Sequence, residues 1–314
     1  MPHPFRALAL VLASLLTATA APVAEAAPKK TNRPATQSRQ AAKPKPKPRP
    51  ARPAPVRATA VKQDKAQQLK HLYDEYWDAS MRLNPLQATL QGDPRYNDQL
   101  PNYLSAAWRQ QQHDFTTQWL GKVEAIGSDG LQGQDLLSYQ IFVRDARAAL
   151  DAEAYPGWML PISPYSNMGS IAAILGSGTG AQPFHTVKDY ENWLKRSAQI
   201  PTLFDQAIAN MREGIRAGVV QPRELVEQVL PQLDAVLRPA AEDSIFWMPI
   251  VTMPDTISAQ DRTRLTAEYK RRIESQIMPA YRALRGFLAT EYMAAARAST
   301  GMQALPDGQA WYAS

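Results

Sequence analysis

The chain of 314 residues contains no cysteine. This absence excludes a disulfide framework, a lipid-modified cysteine anchor and a thiolate metal site. Histidine is also scarce: His3 lies near the start, and His71, His113 and His185 lie in three separate segments. The sequence contains neither the H-E-x-x-H zinc motif nor the G-x-S-x-G serine nucleophile motif. On motifs alone, the chain shows no active site.

The histidine and carboxylate clusters that remain are typical of solvated surfaces. His71 precedes Asp74 by three residues and Glu75 by four, but this order matches neither the zincin motif nor its inverted form. Glu242 and Asp243 are adjacent, and acids are almost never buried unless paired. Because catalytic zinc requires three well-placed protein ligands, we predict that this chain contains no catalytic, cofactor-binding or metal-binding residue. It should bind no stoichiometric zinc and hydrolyse no peptide by itself.

Residues 1–26 have three features of a secretory signal peptide. Arg6 precedes an apolar run from Ala7 to Leu16, and Ala24-Glu25-Ala26 has the A-x-A form of a cleavage site. The apolar run is too short to span a bilayer. We therefore predict export to the periplasm or the extracellular space, with cleavage after Ala26 or, alternatively, at Ala18-Thr19-Ala20. An alanine-rich disordered N-terminus is the competing interpretation.

Residues 27–61 are basic and rich in proline. The stretch from Pro28 to Ala60 contains ten lysines and arginines and no acid, and lysine or arginine alternates with proline over residues 43–50. Such a composition has too little apolar surface to fold, and its prolines favour an extended polyproline II rod. We predict a disordered linker, either a passive tether or a spacer that touches anionic envelope polymers. Nucleic acid is not expected as a partner, because the linker has no aromatic residue to stack on a base.

The linker carries the whole positive surplus of the chain. The sequence has 35 basic and 29 acidic residues, a net charge of +6. Setting aside Arg6, Glu25 and the ten basic residues of the linker leaves 24 basic and 28 acidic residues. The remainder of the chain is therefore mildly acidic.

In that remainder, residues 62–314, apolar residues recur every three or four positions, as in amphipathic helices. No segment has the two-residue period of a β-strand, and we predict an all-α array of six or seven helices. No transmembrane span is expected after signal cleavage. The predicted helices cover residues 69–83, 86–91, 105–127, 131 to about 153, 186–218 with a break before residue 202, and 222–237. In the fourth of them, Leu137, Ile141, Arg144 and Ala148 lie on one stripe.

The longest predicted helix runs from Ser258 to Gly301, and the others are expected to pack around it. Ser258 and Asp261 together predict a capping box at its start, and Gly301 predicts a left-handed stop at its end. Pro279 removes one backbone hydrogen bond inside this helix. We therefore predict a kink at Pro279, or two helices that meet end to end.

Residues 155–184 break the helical pattern. Four prolines punctuate this segment, and residues 176–180 read Gly-Ser-Gly-Thr-Gly. The glycines lack the Lys-Ser/Thr that follows, and the strand that precedes, a phosphate-binding loop. We predict a long irregular connection, in which a flexible loop lies over a neighbouring surface.

Several stretches of the sequence together resemble a known bacterial family. They are residues 84–97 (Asn-Pro-Leu-Gln-Ala-Thr-Leu-Gln-Gly-Asp-Pro-Arg-Tyr-Asn) with Leu100 and Pro101, the turn from Gly218 to Glu224 with Pro222 and Arg223, the step Met278-Pro279-Ala280-Tyr281, and the run from Gly301 to Tyr312 with Leu305, Pro306, Asp307 and Gly308. Over about residues 66–314, the chain resembles the bacterial family called domain of unknown function 885.

This resemblance implies an exported, mostly helical protein akin to zinc-dependent peptidases. In the family, a His-Glu metal motif lies in a C-terminal half, after a Gly-Leu-Pro-x-Gly-type segment. This sequence ends at Ser314, just after its version of that segment, and no position in it matches the family's metal ligands. Zinc is therefore implied only for a complete family member. The chain is expected to be an N-terminal half, through truncation, a split gene, a frameshift or incomplete gene annotation.

Two functional hypotheses follow. In the first, the chain forms the substrate cleft of a peptidase-like protein and is inactive without a C-terminal half encoded separately, the complete protein acting on peptides. In the second, it is a non-catalytic envelope binding module on a lysine-proline spacer. A reading frame with a His-Glu motif downstream of Ser314 would favour the first hypothesis. Unrelated sequence after a true stop would favour the second.

Overall fold

The computed structural model describes the backbone of residues 56–313 and the side chains from Lys65 onward in that range. Within this range, helices alternate with turns and no β-strand forms. The all-α prediction is confirmed. The predicted signal peptide and residues 27–55 of the predicted linker lie outside the described residues, so both stay predictions.

The helices are numbered in chain order. Two π-helical turns, Ile273–Ile277 and Leu288–Tyr292, separate the last long ones. The helix bounds are α1 (Val56–Leu83), α2 (Pro85–Leu90), α3 (Ala106–Ile126), α4 (Gly133–Ala152), α5 (Met168–Gly176), α6 (Val187–Ser197), α7 (Ile200–Ala217), α8 (Arg223–Val236), α9 (Met248–Val251), α10 (Ala259–Arg272), α11 (Met278–Phe287), α12 (Met293–Ala295) and α13 (Gly308–Ala313).

Several helix ends lie where local signals in the sequence predict them. The Ser105 hydroxyl accepts a hydrogen bond from the Trp108 amide (3.1 Å) at the start of α3. Thr186 and Asp189 form a reciprocal capping box at the start of α6. Gly218 ends α7 in the left-handed conformation, at φ 73°, which glycine adopts without steric cost.

The long helical path predicted near the C-terminus begins as expected but ends early. The Ser258 hydroxyl accepts from the Asp261 amide (3.1 Å), and the path continues through both π turns to Ala295. The end predicted at Gly301 is wrong, because Gly301 is extended, with φ −64° and ψ 140°. A tertiary contact ends the helix: the Arg297 amide donates to the Gln221 carbonyl at 3.2 Å instead of to a helical carbonyl.

A π turn accommodates Pro279. The turn Ile273–Ile277 directly precedes α11, and in it the Met278 amide donates to the carbonyl of Ile273, five residues back. Proline has no amide hydrogen and its ring crowds the preceding turn of an α-helix, so a wider turn relieves the clash. Helices α10 and α11 therefore meet end to end through this π turn, which matches the second of the two predicted alternatives.

The main core forms where α5, α6, α7 and α8 pack against α10 and α11. Tyr281 of α11 is completely buried, and its hydroxyl donates to the Gly169 carbonyl of α5 (2.6 Å). Its ring meets Phe204 of α7 edge-on, with the centroids 5.0 Å apart. This one side chain therefore joins three helices. The other large buried rings are Tyr190, Trp193, Phe246, Tyr269 and Tyr292.

A smaller core lies between α1, α3 and α4. Leu69, Val123 and Leu131 are buried in it. Phe142 of α4 is half-buried, with its ring centroid 5.6 Å from that of Tyr73 and 5.0 Å from that of Tyr76. No residue of α4 itself is fully buried, so these three helices are held by a thin apolar layer.

The α4 stripe named from the sequence faces solvent. Leu137 and Ile141 are 48% and 40% exposed, respectively, whereas Leu136, Phe142 and Val143 pack on the small core. Both sets of residues have helical spacing. Which of them is covered depends on where α1 and α3 lie, and the sequence of α4 alone does not specify this.

Replacing Phe142 by alanine should lower the free energy of unfolding by about 2 kcal/mol, less than for a fully buried phenylalanine because Phe142 is half-buried. Leu137→Ala, a matched change on the exposed side of the same helix, should change it by less than about 0.5 kcal/mol. Urea unfolding followed by circular dichroism measures both values. Equal losses in the two variants would contradict the assignment of the buried face.

The prediction of an irregular connection over residues 155–184 is wrong at its centre, where α5 forms. The Asn167 side chain caps α5 by accepting from the Ser170 amide (2.8 Å). A Cβ atom on Gly176, at the end of α5, would lie 2.4 Å from ring atoms of Trp193 and Phe246. This glycine therefore serves close packing in the core and not a flexible loop. Tertiary burial has overridden a local composition that disfavours helix.

Candidate functional site

The structure does not bring the three described histidines together. On α1, His71 Nε2 lies 3.2 Å from a carboxylate oxygen of Glu75. His113 of α3 lies 2.7 Å from a carboxylate oxygen of Glu153. His185 lies before α6, where its backbone amide donates to the Asp189 side chain. Each is thus associated with a different neighbouring carboxylate.

These residues do not fit a zinc ion. Zinc sites in proteins use three or four nitrogen, sulfur or oxygen ligands around one point. Among residues 65–313, no group of three or more histidine and acidic side chains is arranged to hold a metal. His113 and Glu153 supply two groups at most. We derive no chemistry through a metal in this chain.

Glu242 also belongs to a solvated ion pair. Its carboxylate lies 2.7 Å from Lys270 Nζ, and both side chains are almost half exposed. The hydrogen bond from Lys270 lowers the pKa of Glu242. An exposed carboxylate that is held ionised in this way is poorly suited to act as a general acid at neutral pH.

A groove of about 640 Å³ runs beside the N-terminal half of α3. Its other walls are the C-terminal end of α4 and the 3₁₀ turn Gly157–Met159. A volume of this size accommodates a small organic ligand. The residues that line the groove are Ala106, Trp108, Arg109, Gln110, Gln112, His113, Thr116, Ala149, Ala152, Glu153, Tyr155, Gly157 and Trp158.

Arg109 is fixed on one side of this groove. Its Nη1 donates to the Leu104 carbonyl (3.0 Å), and its guanidinium carbon lies 4.2 Å from the ring centroid of Trp158. Such a cation–π contact contributes roughly 0.5–2 kcal/mol. Within the described part of the chain, no carboxylate lies within 4 Å of Arg109. Its Nε and Nη2 have no hydrogen-bond partner there either.

One helical turn from Arg109 on α3, a ring nitrogen of His113 lies 2.7 Å from a carboxylate oxygen of Glu153. This contact connects α3 to the end of α4, and its two side chains are 45% and 43% exposed, respectively. Glu153 is the only acid among the lining residues, and its contact with His113 leaves Arg109 without a carboxylate partner. Arg109 is the one arginine or lysine of the lining, and it is therefore the cation with which an anionic ligand would pair.

Two nitrogen donors in the lining are unsatisfied. Trp108 Nε1 and Gln112 Nε2 are shielded from solvent, and neither has a hydrogen-bond partner among the described residues. A shielded donor without an acceptor costs about 1–3 kcal/mol. The two residues are four positions apart on α3, so they lie on the same side of this helix.

The C-terminal segment reaches the rim of the groove. The ring of Trp311 in α13 stacks on Tyr155, with the centroids 5.8 Å apart and the planes 5° apart. The preceding turn requires Gly308, because a Cβ atom there would lie 2.0 Å from the Met302 carbonyl oxygen. The Leu-Pro-Asp-Gly stretch therefore turns the chain so that Trp311 covers Tyr155.

Arg196 of α6 is a buried cation with only neutral partners, 1% exposed. Its Nε donates to the Gln99 carbonyl (2.9 Å) and its Nη1 to the Gln182 side chain (2.7 Å). Its Nη2 donates to the Thr89 hydroxyl (2.8 Å) and the Tyr96 carbonyl (2.7 Å). Burial lowers the pKa of Arg196 to about 10, which leaves it charged at neutral pH. It fastens residues 84–101 to α6.

The segments that Arg196 and Gly308 organise lie within a region shared with known proteins. The model of the family DUF885, described as "Bacterial protein of unknown function", matches residues 85–314. The chain belongs to the DUF885 family. None of the curated proteins matches it.

One similar solved structure is "the putative lipoprotein from Colwellia psychrerythraea", at 16% sequence identity and a TM-score of 0.62. The similarity covers 80% of the DUF885 chain described here but 45% of the Colwellia chain. At this identity it shows a shared fold alone. The present chain therefore spans less than half the length of the structure that it matches.

No helix among residues 56–313 has the length and hydropathy that crossing a membrane requires. This finding concerns only the described part of the DUF885 chain.

Sequence reasoning missed both the groove and Arg196. Helical periodicity alone places Trp108 on the same apolar stripe of α3 as Trp119 and Val123, and no motif includes Arg109 or Trp158. The available signal was the repeat of polar and aromatic residues at a spacing of four, namely Trp108 with Gln112 and Arg109 with His113. That signal is weak, because it does not reveal which face of α3 stays uncovered.

Proposed function

We propose that this chain forms the ligand-holding wall of an exported, peptidase-like protein whose metal site is formed by residues outside the sequence described here. The observation that carries the proposal is the unequal coverage of the Colwellia structure, 80% of this chain against 45% of that one. In the Colwellia structure, the shared fold is thus one part of a larger chain. The peptidase-like character comes from the family resemblance.

The groove supports the ligand-holding role. It combines aromatic side chains and one arginine without a carboxylate partner in a single concave surface, and two of the residues that line it, Trp108 and Gln112, carry unsatisfied donors that are shielded from solvent. Such a surface can position an extended chain that carries hydrogen-bond acceptors. In this proposal, its residues bind and orient the ligand, and none of them acts as nucleophile, acid or base.

Co-expression of the full chain with the product of the reading frame downstream in the genome tests this function. We expect both products in the periplasmic fraction, with the mature chain beginning at Ala27, and a 1:1 complex in size-exclusion chromatography with light scattering. Hydrolysis of a fluorogenic peptide library in the presence of zinc should require both chains. Peptide hydrolysis by this chain alone, or failure of the two products to associate, would rule out the proposal.

A second candidate function is a non-catalytic envelope binding module. It is supported by the basic, proline-rich composition of residues 27–61, which suits a spacer that holds a binding domain at a distance. Under this alternative, the chain binds its ligand with unchanged affinity whether or not the downstream product is present. Comparing the ligand affinity of the chain alone with that of the co-expressed sample separates the two functions.

A further inference from the structure

We infer that the groove beside α3 binds a monoanionic ligand in which a carboxylate lies next to an aromatic or other flat apolar group. The inference deepens the ligand-holding role proposed above and rests on it only for its biological setting. The ligand contacts themselves require no second chain and no metal.

Arg109 carries the recognition of the carboxylate. Its Nη1 is occupied by the Leu104 carbonyl, which leaves Nε and Nη2, two donors on one edge of the guanidinium plane. Those two donors match the two oxygens of a carboxylate in parallel hydrogen bonds. Trp158 holds the guanidinium plane in place at 4.2 Å, so little side-chain entropy is lost when the carboxylate binds.

The surroundings of Arg109 fit a flat apolar group. Trp158 and the part of Tyr155 that Trp311 leaves exposed supply aromatic surface, while Ala149, Ala152 and Gly157 have small or no side chains and leave space between the walls. Aromatic pairs in offset or edge-on contact contribute about 0.5–1.5 kcal/mol beyond the area that they bury. A carboxylate alone would leave most of the groove unfilled.

The two unsatisfied donors point to further acceptors on the same ligand. Trp108 Nε1 and Gln112 Nε2 are shielded from water, so an acceptor reaches them only when their side chains rotate towards the groove. The Trp108 ring packs edge-on against Tyr103, with the centroids 5.3 Å apart, whereas Gln112 is a partly exposed, flexible side chain, so Gln112 is the donor that such a rotation would bring to the ligand. A carbonyl beside the carboxylate, as in an acylated amino acid, would satisfy a donor that has no partner in the described structure.

The charges of the lining favour one negative charge over two. Arg109 is its only arginine or lysine, and Glu153 is its only acid. A phosphate monoester, with nearly two negative charges at neutral pH, would need a second cation to compensate. The carboxylate could belong to a free aromatic acid or to the C-terminus of a peptide, because both present the same chemistry to Arg109.

Isothermal titration of the full chain, in the absence of any partner, tests the inference. The probes are N-acetyl-phenylalanine, its neutral amide, and the peptide N-acetyl-Ala-Ala-Phe with a free C-terminus. We expect saturable binding of the first probe, at least about tenfold tighter than that of the amide, because a charged hydrogen-bonded pair is lost in the amide. A tighter peptide would identify a peptide C-terminus as the source, and a tighter single amino acid would identify a free acid.

Variants assign the binding to the groove. Arg109→Gln should weaken binding of N-acetyl-phenylalanine by about tenfold or more and abolish the preference for the acid over the amide. Arg109→Lys keeps the charge without the paired donors, so its affinity for N-acetyl-phenylalanine should lie between those of the unmodified chain and Arg109→Gln. Arg282→Gln changes an exposed arginine outside the lining and should bind as the unmodified chain does.

Circular dichroism and urea unfolding establish that each variant is folded. If Arg109→Gln fails to fold, Arg109→Lys and the comparison of acid with amide decide the question. Equal affinity for acid and amide in the unmodified chain, no saturation up to 10 mM probe, or unchanged affinity in Arg109→Lys and Arg109→Gln would each overturn the inference. None of these results depends on the downstream product, so failure here leaves the two-chain proposal standing.

Discussion

Replacing Arg196 by methionine is expected to lower the free energy of unfolding by about 3 kcal/mol. The change leaves the carbonyls of Gln99 and Tyr96 and the side chains of Thr89 and Gln182 without their donor. Each buried polar group left unsatisfied costs about 1–3 kcal/mol. Removing a guanidinium that is costly to bury offsets part of that sum, which is why we do not expect the full total.

Urea unfolding at pH 7 measures this loss of stability. Two further variants test whether the hydrogen bonds of Arg196 are its cause. Arg196→Lys retains the charge but has three donors in place of five, so its stability should fall between those of the unmodified chain and Arg196→Met. Arg282→Met, at an exposed position of α11, should change stability by less than about 0.5 kcal/mol. If Arg196→Met loses no more free energy of unfolding than Arg282→Met, Arg196 does not hold residues 84–101 against α6.

Stability is expected to fall steeply as the pH rises from 10 to 12. Burial raises the pKa of Tyr190 and of Tyr292 to about 12, and raises the pKa values of Tyr269 and Tyr281 as well. In the unfolded chain, tyrosine ionises near pH 10. The contribution of these groups is therefore complete below pH 10 and is lost as the pH rises through the folded-state values.

Tyr190 and Tyr292, whose pKa values are each raised from about 10 to about 12, should each contribute a loss on the order of 2 kcal/mol between pH 9 and pH 12, since a shift of one pKa unit corresponds to about 1.4 kcal/mol. Arg196 acts in the opposite direction over part of this range. Its folded-state pKa of about 10 lies below that of an exposed arginine, so the unfolded chain retains that proton longer. One arginine offsets only a part of the effect of four tyrosines.

Tyr281→Phe separates the tyrosine contribution from general alkaline damage. This variant loses the hydrogen bond to the Gly169 carbonyl and should be about 1 kcal/mol less stable at pH 8, yet it should lose less stability between pH 9 and pH 12. Tyr165→Phe, at a 68% exposed position, should behave as the unmodified chain does. Identical pH dependence in all three proteins would contradict the role assigned to Tyr281.

Much of the helical architecture was predictable because its signals are local. A cap such as Ser105 works through a hydrogen bond to an amide three residues away, and Gly218 ends a helix through its own backbone conformation. The spacing of apolar residues likewise repeats within a few turns. Such features depend on neighbours in the sequence, so reading the sequence is enough to find them.

The two predictions that were wrong concern features set by contacts between residues distant in the sequence. The helix predicted to end at Gly301 ends at Ala295 because Arg297 pairs with Gln221, far away in the sequence. Helix α5 forms in a segment rich in glycine and proline because the main core covers it. Both outcomes depend on contacts whose partners the local pattern does not name.

The candidate site also has features that the sequence shows and features that only the structure shows. The absence of cysteine and of a zinc motif was visible in the sequence, and the prediction that this chain contains no metal ligands remains open to metal analysis. The groove was not visible, because Arg109 meets Trp158 only after α3 and α4 have packed and the chain has turned at Gly157–Met159.

The sequence by itself determined that this protein is an array of helices with defined starts, since helix periodicity and capping act over three or four residues. Only the tertiary structure decided which helix faces are covered, where the long helix stops, and that Arg109, Trp158, Trp108 and Gln112 line one groove. The reason is physical: burial and hydrogen-bond pairing join residues tens to about a hundred positions apart, as between Arg196 and Thr89. No short stretch of sequence contains both partners of such a contact.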